Sequence, residues 1–139
     1  MIKGVLSALM FILLSYNVFA NDGSNDAKQQ NIKQAKIVFE KVEHEYDTIS
    51  LSGETRRTHR FSFTNKGEKD LYILHIATGC GCTTPKYSKK AVPPGEKGYI
   101  DIEFNDKQRP IGRYRKSITV YSNDPRSYTR IFVKGVISK

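Results

Sequence analysis

From Ala35 to its end, the chain alternates apolar and polar residues with a period of two. Ile37 and Phe39 share one face, Val38 and Glu40 the other. In Arg60-Phe61-Ser62-Phe63-Thr64 the two phenylalanines point one way and the polar residues the opposite way. Ile100-Asp101-Ile102-Glu103-Phe104 repeats the pattern, as does Ser117-Ile118-Thr119-Val120-Tyr121; Ile131 and Val133 alternate with Phe132 and Lys134. Alternation of this kind places one face of a strand on a core and the other in water. No stretch of helical length carries a comparable stripe at 3.6-residue spacing.

Turn chemistry divides these runs. Asn65-Lys66-Gly67-Glu68 reads as a turn between strands. Pro93-Pro94-Gly95-Glu96 suits a type II turn, in which proline fixes φ at the second position and glycine accepts positive φ at the third. Asn123-Asp124-Pro125 separates the last two runs. The pattern predicts seven strands, near residues 36–44, 57–64, 70–77, 82–87, 97–105, 113–122 and 127–137. Short strands at this spacing predict an all-β fold, a seven-stranded antiparallel immunoglobulin-like β-sandwich over residues 35–139. There is no tryptophan, so the Cys…Trp…Cys core of antibody domains is absent and the core is expected to be Phe, Ile, Val and Tyr.

The first residues follow a different rule. Lys3 is a positive start, Val5 to Tyr16 is an apolar run broken by Ser7 and Ser15, and Val18-Phe19-Ala20 has the small-residue pattern of a cleavage site. Met1 to Ala20 therefore reads as a secretory signal peptide cut after Ala20; the alternative is an uncleaved anchor. Residues 21–34 are Asn, Asp, Ser, Gln and Lys with little to bury, and read as a flexible linker. The expectation is a periplasmic or secreted protein. Removing residues 1–20 also removes Met1 and Met10, the only methionines, so thioether ligands are lost with the leader.

Composition narrows the function classes. At 139 residues the chain is too short for a barrel or two-domain dehydrogenase. The 23 Lys and Arg outnumber the 14 Asp and Glu, for a net charge of +9. The positive residues concentrate at Arg56-Arg57-Arg60, at Lys86-Lys89-Lys90 and from Arg109 to Lys116. Outward cations blunt strand edges, and they also favour weak attraction to anionic envelope surfaces. Nucleic acid is not an expected partner of an exported chain. No nucleophile elbow, zinc-protease helix motif or phosphate loop is present. Asp101 and Glu103 share a strand face, which is the pattern of a solvated surface. The chain is not expected to be an enzyme.

Cys80-Gly81-Cys82 is the one segment that invites chemistry, and these are the only two cysteines. Side chains at i and i+2 of an extended segment share a face, and Gly81 lets the backbone bend. Three readings are open. The first is a local disulfide, favoured by an oxidising compartment but closing a ring too small for relaxed geometry and a loop too short to stabilise much. The second is a soft-metal site for copper or zinc, with His75 as the nearest additional ligand; paired Cys-x-x-Cys zinc spacing is absent. The third is a pair of small residues shaping a bend, or a thiol pair in redox exchange. His44, between Glu43 and Glu45, and His59, within Arg56-Arg57-Thr58-His59-Arg60, are expected to be solvated surface histidines.

With these residues in view, the chain resembles the bacterial family called domain of unknown function 1573. That family is similar in fold to the Hydin-like and major-sperm-protein-like immunoglobulin sandwiches. The matching segments are Phe61 to Gly67, the Leu71 to Ile76 strand running into Gly79-Cys80-Gly81-Cys82-Thr83, the Pro93-Pro94-Gly95 turn, and Ile118 to Asp124. The chain departs from the pattern at Asp47, where a turn glycine is usual, and at Gly79, where serine is expected. The resemblance implies a secreted or periplasmic sandwich; the expectation for the whole chain is a non-catalytic binding or assembly module of the cell envelope that offers strand edges and loops to an unidentified envelope protein. The resemblance implies no reaction and no cofactor.

Overall fold

The computed structural model describes residues 33–105 and 110–139. The signal segment, its cleavage point after Ala20 and most of the linker lie outside the described residues. Nine strands form within them: β1 (Ile37–Phe39), β2 (Glu43–Glu45), β3 (Ile49–Ser50), β4 (Arg56–Asn65), β5 (Ile73–Thr78), β6 (Thr83–Tyr87), β7 (Lys97–Asn105), β8 (Gly112–Ser122) and β9 (Tyr128–Ser138). One sheet has the order β1-β4-β7-β6; the other has β2-β9-β8-β5, with β3 also pairing with β9. The all-β sandwich is as expected. The count of seven is corrected to nine among the described residues, and the sheets are not wholly antiparallel, because β2 and β3 run parallel to β9.

The single strand expected near 36–44 is two, β1 and β2, and the short β3 at Ile49–Ser50 is additional. Glu40 N donates to the Ser62 carbonyl, ending the first sheet's hold on the chain. Phe132 N then donates to the Val42 carbonyl, and the next residues pair with the second sheet. The segment changes sheets at Glu40–Val42, as corner strands of sandwiches do. Alternation marks which residues face inward, but it carries no record of which sheet a strand joins.

Inward positions on both sheets build one core, with Phe61, Phe63, Leu71, Ile100, Ile102, Phe104, Ile118, Val120, Ile131 and Val133 almost wholly buried. Each fully buried side chain of this size contributes about 1.5–3 kcal/mol by leaving water. The predicted turn at Pro93–Glu96 forms: Gly95 has φ of 80° and Glu96 N donates to the Pro93 carbonyl.

Two buried polar residues tie the start of β1 to the turns at one end of the sandwich. Asn65 Oδ1 accepts from Lys36 N and Gly67 N, and its Nδ2 donates to the Lys69 and Val92 carbonyls. Gly67 is required there because residues 34–36 cross directly over it; a Cβ would collide with the Gln34 carbonyl oxygen and Lys36 N. Glu68 N donates to the Gln34 carbonyl, so the hydrogen bonding of the domain already includes Gln34. Asp124 Oδ2 accepts from Ile37 N at 2.9 Å, while Arg126 grips both carboxylate oxygens and donates to the Ile37 carbonyl. The Arg126 hydrogen bonds outweigh desolvation and hold the Asp124 carboxyl below its ordinary value. Asn123 adds a third clamp, accepting from Tyr72 N and donating to the Asp70 carbonyl.

Candidate functional site

Cys80 and Cys82 lie in the crossing from β5, an edge of one sheet, to β6, an edge of the other. Their sulfurs are joined as a disulfide, with the Cα atoms 5.2 Å apart. Closing so short a loop stabilises a fold by roughly 1.5 kcal/mol at most. Other bonds set the shape of the loop. The Cys80 carbonyl accepts from Thr83 N and from Thr78 Oγ1, and the Cys82 carbonyl accepts from Asn105 N at 2.8 Å. Thr83 is buried, and its hydroxyl lies 3.7 Å from Cys80 Sγ and 3.6 Å from Cys82 Sγ. Cys82 packs against the core, whereas Cys80 stands between the exposed Gly79 and Gly81.

His75 is not gathered with the cysteines into a metal-sized group. It stands exposed on β5 and stacks on Tyr121, with ring centroids 6.0 Å apart. Among the described residues no three His, Cys, Asp or Glu side chains cluster as a metal ion requires.

His44 and His59 are not solvated surface residues, and this expectation is corrected. They stack face to face across the mouth of the sandwich, centroids 3.5 Å apart and planes 5° from parallel. His44 also meets Tyr46 edge-on, and His59 meets Phe61 the same way. Desolvation is the main cause lowering both imidazole pKa values below the ordinary 6.5; His44 and Lys41 lower His59 further, while at His44 the lowering by Lys41 is opposed by Asp47. Burial pushes the neighbouring Tyr46 phenol up to about 12. The signal was present in the sequence: His59 is two residues before Phe61, and His44 two before Tyr46. The flanking arginines and glutamates obscured that parity.

The charged outer faces behave as solvent surfaces. Arg60 donates through Nε and Nη2 to the two oxygens of Asp101, at 2.7 and 2.8 Å, and lies over the Tyr99 ring. Arg56 and Lys86 both pair with Glu103. A different surface lies at the β5 edge. β5 pairs with β8 on one side, and its other side is the end of the sheet among the described residues. The register shifts between Ile73 and His75, a bulge that turns Leu74 outward until it is 59% exposed. Tyr72, 43% exposed, precedes it, and Tyr121 and Tyr128 continue the apolar surface beyond His75.

Comparison with known proteins agrees with this architecture. A crystal structure of a protein of unknown function from Porphyromonas gingivalis W83 superposes with a TM-score of 0.64 at 19% identity, over 75% of this chain and 48% of that one. The chain thus spans about half the length of that structure. The ASH/PapD-like domain 7 of human CEP192 matches with a TM-score of 0.60 at 10% identity, covering 77% of this chain and 88% of the domain. The periplasmic chaperone SfaE matches with a TM-score of 0.54 at 11% identity, over 75% of this chain and 58% of that one. At these identities the likeness concerns fold alone. No curated protein matches the sequence. The model of one family, Protein of unknown function (DUF1573), matches residues 37–137, from the first strand to the last, and the chain belongs to that family.

Proposed function

We propose that the protein is an exported, non-catalytic binding or assembly module of the bacterial cell envelope, taking an extended segment of a partner protein along β5. The observation that carries this reading is the β5 edge. Among the described residues no strand neighbours its outer side, and Leu74 and Tyr72 stand exposed beside it. An extended segment adding there gains main-chain hydrogen bonds, and its side chains pack on the exposed Leu74 and Tyr72. The amino-terminal leader pattern and the fold shared with a periplasmic chaperone support export. The net positive charge adds a weak, salt-screened attraction to anionic envelope surfaces.

Site-specific photocrosslinking in intact cells tests the assignment. A crosslinker at Leu74 is expected to capture an envelope protein that the same group at Tyr99, on the outer face of the other sheet, does not. Equal capture from both positions, or none from Leu74, overturns it.

A further inference from the structure

The cysteine loop presents a puzzle that strand addition does not address. Its disulfide closes too little chain to hold the sandwich. The loop keeps its shape through hydrogen bonds to both cysteine carbonyls, none of which involves sulfur. The approach is open: at Gly79 and at Gly81 nothing lies within 4 Å of where a Cβ would stand. A buried hydroxyl, Thr83 Oγ1, is held within reach of both sulfurs.

We propose that Cys80 and Cys82 form a thiol–disulfide exchange site whose substrate is an exposed dithiol on another protein. A substrate thiolate attacks Cys80 Sγ, the sulfur between the two open glycines, and forms a mixed disulfide. The Cys80–Cys82 bond breaks, and its electron pair leaves on Cys82 Sγ. Thr83 Oγ1, 3.6 Å away, donates to the new thiolate. The second substrate thiolate then attacks the substrate's own sulfur in the mixed disulfide, and Cys80 leaves as a thiolate beside the same hydroxyl. The substrate departs as a disulfide, and the two protons from its thiols end on Cys80 and Cys82. The substrate is oxidised and the pair reduced. A low-molecular-weight disulfide of the glutathione class restores the pair by the reverse steps. Because loop closure adds little and the backbone bonds persist, the fold survives the cycle. The inference stands independently of strand addition at β5.

The test equilibrates the purified protein with mixtures of reduced and oxidised glutathione, quenches with acid and reads intact mass, with a thermal melt at each end state. The expected result is a reversible change of two hydrogens with the melt preserved. The Cys82→Ser variant should take up one glutathione on Cys80 at least about tenfold faster than Cys80→Ser takes it up on Cys82, and Thr83→Val should slow the uptake. A disulfide that resists reduced glutathione until the protein unfolds overturns the proposal, as does loss of the fold on reduction. The wild-type titration decides the matter even where a variant fails to fold.

Discussion

The Asn65–Asp124 end of the sandwich and the Cys80–Cys82 loop both consist of small or polar residues in the segments that match the family, yet they are held in opposite ways. At the first, every polar group of the two side chains is used: Asn65 serves four backbone groups, and Asp124 joins Ile37 to Arg126. At the second, the side-chain sulfurs bond to each other and lie near one hydroxyl, while backbone bonds hold the loop. A residue whose every donor and acceptor serves the fold needs no further explanation. A reactive pair on which the fold does not depend is available for another use.

Substitutions sharpen the contrast in order of size. Asn65→Ala strands the N–H groups of Lys36 and Gly67 and the Lys69 carbonyl, while the Val92 carbonyl keeps its bond from Leu71 N, and is expected to cost about 3 kcal/mol in urea unfolding. Asp124→Ala, which frees Ile37 N and leaves Arg126 without its carboxylate, should cost about 2–3 kcal/mol. Replacing both cysteines by serine should cost no more than roughly 1.5 kcal/mol in the same assay. A loss as large as that of Asn65→Ala would erase the distinction between the two regions.

The histidine pair adds a smaller, pH-dependent effect. Burial lowers both imidazole pKa values, so below about pH 6.5 the unfolded chain binds more protons than the folded one. Stability is therefore complete above that pH and declines as pH falls beneath it. The Asp124 carboxyl, lowered chiefly by Arg126, is lost separately, below the ordinary carboxylate range. Thermal melts between pH 7 and 5 should show the histidine decline, and His44→Phe should flatten it; an unchanged slope would place the titration elsewhere. Least of all, Leu74→Ser should leave stability within about 0.5 kcal/mol, since the side chain stands exposed on the surface.

Period-two alternation carried most of the fold. Phe61 and Phe63, Ile100, Ile102 and Phe104, and Ile118 and Val120 all point inward as the sequence implies, because burial on one face leaves that imprint directly. The Pro93–Glu96 turn was legible because its φ demand is met by a glycine. The change of sheets at Glu40–Val42 was not, since pairing partners as distant in sequence as Glu43 and Phe132 leave no local mark. The roles of Asn65 and Asp124 were hidden for the same reason: an asparagine in a turn looks alike whether it caps locally or reaches a distant strand. The cysteine pair was visible as a possible site, but the independence of its loop from the disulfide emerges only from the bonds of Thr78, Thr83 and Asn105.

Amide hydrogen exchange on the oxidised and the fully reduced protein tests that independence most directly. Protection along β5 and β6, and at Thr83 and Asn105, is predicted to be the same in both states, with change confined to Gly79–Cys82. Loss of protection across β5 and β6 on reduction would show the disulfide to be a structural staple and would contradict the account.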